Sequence, residues 1–146
     1  DHPLTFILGD FTATGTDYWD GPSTWTITIH KDAEDDHKVW FDNLYNNPGW
    51  VAPNTRFYGV VNDDKTFINI PFGQETEYKY SNGMPVVLWG LTSELNSIET
   101  GSMDVAIIVE NSNVSLDFGD ESGFWVRIKD TGNLGIILPG ITAVKN

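Results

Sequence analysis

Thr24-Trp25-Thr26-Ile27-Thr28-Ile29-His30 is the stretch that decides the fold class. Trp25, Ile27 and Ile29 fall on one side of an extended chain and Thr24, Thr26, Thr28 and His30 on the other, because successive strand side chains point to opposite faces. This is the pattern of a half-buried strand. Few windows elsewhere place apolar residues at helical spacing, while Thr, Val, Ile and aromatic residues dominate the periodic stretches.

Working outward, residues 9–16 read as a first strand, and residues 17–23, with Gly21-Pro22, as a loop carrying Tyr18 and Trp19. On the other side, residues 31–37 form an acidic turn and residues 38–44 return as a strand. Residues 45–55, rich in Pro, Gly and Asn, make the longest loop. Residues 57–62 and 66–70 flank Asp63-Asp64 as a hairpin, which Pro71 ends. Residues 72–80 are polar and suit an edge strand, with Gly83 and Pro85 marking the turn after it.

Residues 86–91 and 105–109 are apolar on both faces and so are expected to be covered on both sides. Between them, residues 92–101 are the one place for a single helical turn. Val109 and Val114 flank a second hairpin turn, after which Val114, Leu116 and Phe118 alternate with Ser115 and Asp117. An acidic turn at 119–123 precedes strands at 124–129 and 134–138, the second being the last strand expected before a short tail. The count is roughly eight to ten strands at the spacing of sandwiches and small barrels.

Short connections favour antiparallel neighbours over the long crossovers of a Greek key. The expected fold is therefore all-β: an up-and-down meander closed as a barrel, which abolishes exposed edges, with a β-sandwich as the alternative. No linker or repeat divides the chain, so residues 1–146 are read as one domain.

Eight basic residues against 21 acidic ones give a net charge of −13. A field of that sign repels phosphate backbones and anionic membrane surfaces, so nucleic acid is not an expected partner. There is no cysteine, hence no disulfide framework and no thiolate metal site. No apolar run approaches the ~20 residues of a membrane-spanning helix.

Residues with chemical potential are scattered. His2, His30 and His37 have no metal-ligand partner at a diagnostic spacing and read as surface residues. No Gly-x-Ser-x-Gly elbow occurs. The acidic turn Asp32-Ala33-Glu34-Asp35-Asp36, and Asp117, Asp120 and Glu121, lack the ligand spacing of an EF-hand loop and read as solvated hairpin tips. The expectation is no catalytic residue, no metal and no cofactor.

Tyr18, Trp19, Tyr45, Trp50, Tyr78 and Tyr80 lie in or beside loops and polar stretches. Rings flanked by Asn and Asp suit a carbohydrate, whose apolar faces stack on aromatics while its hydroxyls meet amides and carboxylates. Trp19, Trp50 and Tyr80 are the candidates for ring stacking. The alternative is that these rings cap the barrel ends as satellite core.

Three stretches carry a resemblance: Gly9-Asp10-Phe11-Thr12-Ala13-Thr14-Gly15; Lys38-Val39-Trp40-Phe41-Asp42-Asn43-Leu44; and Ile70-Pro71-Phe72-Gly73-Gln74 leading to Val87-Leu88-Trp89-Gly90. Together they resemble a family of small secreted or surface lipoprotein domains of unknown function, common in gut-dwelling Gram-negative anaerobes. The resemblance implies a lipocalin-like barrel, exported behind a signal peptide and held at the membrane only through a lipidated cysteine upstream of this segment. Secreted, periplasmic or outer-membrane placement follows from it.

The leading functional expectation is a non-catalytic cell-surface or periplasmic binding domain with glycans as ligands. Two rivals remain: a carrier of a small apolar ligand inside the barrel, and a structural module that joins a surface-protein partner.

Overall fold

The computed structural model describes residues 2–146. Its strands are β1 (Gly9–Asp17), β2 (Gly21–Lys31), β3 (Lys38–Asp42), β4 (Phe57–Val61), β5 (Phe67–Pro71), β6 (Gln74–Lys79), β7 (Pro85–Leu91), β8 (Ser97–Ile98), β9 (Ser102–Glu110), β10 (Asn113–Asp117), β11 (Gly123–Ile128), β12 (Gly132–Ile137) and β13 (Thr142–Lys145). Among the described residues helix is confined to two short 3₁₀ turns, at Thr5–Ile7 and Pro53–Thr55. The helical turn expected within residues 92–101 is absent; that segment holds β8 and the turns around it.

Strands β1, β2, β3, β4, β5, β9, β10 and β13 pair in that order, and β13 pairs back onto β1. The result is a closed eight-stranded antiparallel barrel of the lipocalin-like kind. Four further strands, in the order β12-β11-β7-β6 with β8 on the end of β7, form a side sheet that joins the barrel where Asp17 pairs with Ile137.

The meander is thus interrupted. The chain leaves the barrel after β5 and returns at β9, then leaves after β10 and returns at β13. All four crossings carry a glycine at positive φ: Gly73 (88°), Gly101 (88°), Gly119 (77°) and Gly140 (100°). An L side chain is strained there, so glycine lets the chain turn out of one sheet and into the other. The corners also meet in pairs, with Phe72 N–H donating to the Gly101 carbonyl at 2.8 Å and Gly140 N–H to the Gly119 carbonyl at 2.9 Å.

The alternation that identified β2 is realised as read, with Trp25, Ile27 and Ile29 buried. They join Phe11, Val39, Phe41, Ile68, Ile70, Val105 and Leu116 in a barrel interior where exposure is essentially nil. Gly59 marks its tightest point, since a Cβ there would lie 2.6 Å from Ile68 Cγ2. Side chains fill this barrel.

β7 is buried on both faces as expected, but β9 is not: Met103, Val105 and Ile107 point inward while Ile108 and Val109 are exposed. The reason is topological. The side sheet covers the barrel elsewhere, so the outer face of β9 at Ile108 has no second layer, while Val109, on the face of Met103, Val105 and Ile107, lies past the core near the end of the strand. Two glycines on the side sheet seat aromatics from the barrel side. Phe72 lies on Gly90 and Tyr45 on Gly135, so closely that a Cβ at either glycine would stand under 3 Å from the ring.

Candidate functional site

A recess of about 710 Å³ lies between the outer wall of the barrel at β3 and β4 and the edge strand β6. It falls within the size range of ligand sites. Its aromatic wall follows from strand alternation: Val39, Phe41, Phe57 and Gly59 point into the barrel, which turns Trp40 and Tyr58 outward. The two are cross-strand partners, with ring centroids 5.7 Å apart and planes at 61°.

A gap in the ladder opens this recess. β4 pairs with β5 only at Val60 and Val61, because β5 turns away toward the side sheet. The Gln74 side chain fills the place a strand would take. Its Oε1 accepts from Tyr58 N–H, and its Nε2 donates to the carbonyls of Tyr58 and Pro71, all at 2.9 Å.

Charged groups are held in fixed positions around the rings. Trp40 Nε1 donates to Asp32 Oδ1 at 2.7 Å, while Asp32 Oδ2 accepts from the backbone of Glu34 and Asp35. The Trp40 hydrogen bond, with help from those backbone donors, lowers the Asp32 pKa to about 2. Asp42, buried beneath the rim, accepts from Arg56 Nε at 2.8 Å and meets His30 Nε2 at 2.6 Å. The Lys38 ammonium stands over both rings, 4.7 Å from the Trp40 centroid and 4.5 Å from that of Tyr58.

The rings expected to stack fall in two other places. Trp50 and Tyr80 come together, stacked at 6.2 Å and 29°, with Tyr78 edge-on to Trp50 at 4.8 Å. Trp50 and Tyr78 pack against the core, whereas Tyr80 keeps an exposed face. Trp19 lies apart on the β1–β2 hairpin, where the buried carboxylate of Asp17 accepts from its backbone N–H. It is 56% exposed, beside Tyr18 at 52%, and both line a notch of about 270 Å³ with Leu91, Leu95, Trp125 and Ile136. None of Trp19, Trp50 and Tyr80 lines the 710 Å³ cleft.

Trp40, Tyr58, Trp89 and Trp125 escaped the sequence reading because they sit inside regular strands rather than loops. The available signal was their parity. Each is an aromatic at a position whose neighbours on either side point inward. Trp89 and Trp125 are register partners on the outer face of the side sheet, edge to face at 5.7 Å, and Arg127 stacks over Trp89 at 5.1 Å. The adjoining recess of about 340 Å³ shares Gly73 and Glu75 with the large cleft, and Glu75 accepts from Lys129 at 2.9 Å.

His37 is exposed as expected, but His2 and His30 are less so. His30 is half-buried against Asp42, and His2 accepts from Leu4 N–H through Nδ1. Among the described residues no imidazole hydrogen-bonds a hydroxyl, and no group of three potential ligands surrounds a common point for a metal. Tyr45, buried against Gly135, has its phenol pKa raised by burial and by the charge of Asp42, which keeps it protonated near neutrality. Asp32, Asp35 and Asp117 turn carboxylate oxygens to their own turns, as where Asp117 Oδ1 accepts from Gly119 N–H. No family model, no curated protein and no solved structure matches this chain.

Proposed function

We propose that this protein is a non-catalytic glycan-binding domain and that its binding surface is the cleft walled by Trp40 and Tyr58. One observation carries the reading: two outward aromatic rings share a cleft of about 710 Å³ with amides and carboxylates of fixed orientation. Such a surface suits an amphipathic ring, which stacks its C–H face on an aromatic and turns its hydroxyls to polar groups. Asn54 and Glu77 on the rim are placed to take those hydroxyls. Trp19 and the Trp50–Tyr80 pair are outlying platforms for a longer chain.

The filled barrel interior weighs against carriage of an apolar ligand inside it. A glycan array followed by isothermal titration tests the reading, with Trp40→Ala expected to weaken binding by at least about tenfold, as loss of a central aromatic anchor does. Silence of the wild type across host and dietary polysaccharides overturns it.

One observation favours a second reading, a surface-protein partner docked at the Trp19 notch: Tyr18, Trp19 and Leu95 expose apolar area side by side. Trp19→Asp would then abolish co-purification of that partner and leave unchanged the titration of short glycans that fill only the Trp40–Tyr58 cleft. A secreted, periplasmic or outer-membrane location, through a lipid anchor upstream, belongs to the same proposal. It is supported by the resemblance in the three quoted stretches, and labelling of the full-length product with a lipid precursor would test it.

A further inference from the structure

The charges of the cleft are unevenly committed. Arg56 is paired with Asp42 and Glu75 with Lys129, whereas Asp32, bonded to Trp40 and its own turn, keeps its charge within Coulombic reach of Lys38. Lys31, Lys38 and Glu77 make no ion pair among the described residues. The charges without an ion pair are therefore two ammoniums, Lys31 and Lys38, and two carboxylates, Asp32 and Glu77, in a chain of net charge −13. Three of its eight basic residues, Lys31, Lys38 and Arg56, line this one cleft. Salt screens the overall negative field beyond roughly 8–10 Å, so the local charges govern a ligand already in place.

Lys38 decides what that ligand carries. Its ammonium covers the ring faces that a sugar would use. A neutral sugar must displace it and gives it no new partner. A sugar carboxylate offers the displaced ammonium a charge-assisted hydrogen bond at the moment the rings are uncovered. We infer that the ligand is an acidic, uronate-bearing glycan, with Lys38 as the residue that selects it over neutral glycans. This deepens the glycan reading and rests on it.

Isothermal titration with tetragalacturonate and its carboxyl-reduced neutral counterpart tests the inference on the wild type, Lys38→Ala and Lys38→Arg. The wild type should prefer the acid by about tenfold, the scale of one charge-assisted hydrogen bond. That preference should shrink with added salt, fall to about unity in Lys38→Ala through weaker acid and tighter neutral binding, and survive in Lys38→Arg. Equal binding of the two saccharides by the wild type, no binding of tetragalacturonate, or a preference that persists in Lys38→Ala overturns the inference. The glycan reading then stands or falls separately, on the neutral glycans of the array and on Trp40→Ala.

Discussion

The barrel and the side sheet are made of similar strands but use their faces differently. In the barrel the inward side chains pack against one another across the ring of strands, and the outer wall, where the side sheet does not cover it, faces water with Trp40 and Tyr58 among its outward residues. In the side sheet the inner face holds Val86, Leu88, Phe124 and Val126 against Phe72 and Tyr45, while the outer face buries Val87, Leu91 and Ile136 beneath Trp89, Trp125 and Arg127. A closed ring completes its own core. An open sheet needs neighbours on both faces, and here aromatic side chains supply the outer cover.

The largest expected effect tests that difference directly. Phe41→Ala empties a site inside a ring that cannot collapse, and should cost about 3–5 kcal/mol in urea unfolding. Trp89→Ala removes a half-exposed cover that solvent can partly replace, and should cost under about 2 kcal/mol. Equal losses would mean that the outer face of the side sheet is as much a core as the barrel interior.

The next effect lies where the regions part. Gln74→Ala leaves the N–H and carbonyl of Tyr58, and the carbonyl of Pro71, without their side-chain partner. Unsatisfied backbone groups at a half-buried site predict a loss of about 2–3 kcal/mol and faster amide exchange at Tyr58. A loss below about 0.5 kcal/mol would mean that water substitutes for the amide and that the barrel wall is open at this point.

These two sites also mark what the sequence could and could not tell. Period-two alternation exposed the barrel because each of its strands has one wet face, so Trp25, Ile27 and Ile29 announce themselves. The same logic predicted burial on both faces for β9, where Ile108 and Val109 are in fact exposed. Apolar residues on both faces report strand propensity, not the presence of a second layer. The departure from a simple meander was hidden because the four crossings are as short as hairpins. Only the recurrence of Gly73, Gly101, Gly119 and Gly140 distinguishes them, and glycines with equally positive φ, such as Gly21 and Gly83, occur in ordinary turns. The cleft was missed because it depends on a Gln side chain replacing a strand, an event with no periodic signature. Trp50 and Tyr80 were paired by the fold, yet away from that cleft.

A smaller effect probes the corners. A Cβ at Gly119 would meet nothing within 4 Å, so Gly119→Ala introduces backbone strain without a clash. The expected loss is about 1–2 kcal/mol, with Gly119→Asn recovering part of it because Asn tolerates the left-handed region. No loss at all would show that this crossing can rearrange, and that its glycine does not hold the two sheets in register.

The smallest effect concerns the cleft itself and appears only in acid. The Asp32 pKa in the folded protein, about 2, lies below its ordinary value of 3.8, the Trp40 hydrogen bond being the largest cause. Between those values the unfolded chain binds the proton and the folded chain does not, so stability rises with pH across that window. The contribution is complete above pH 3.8 and is lost as pH falls through about 2. Wild type and Asp32→Asn should therefore differ in urea midpoint near neutrality and converge as pH falls toward 2, while Trp40→Phe, which lacks the indole donor, should raise the Asp32 pKa toward its ordinary value. A difference between wild type and Asp32→Asn that is the same at every pH would show that the hydrogen bond does not depend on the carboxylate charge. The rigid placement of Trp40 would then come from barrel packing alone.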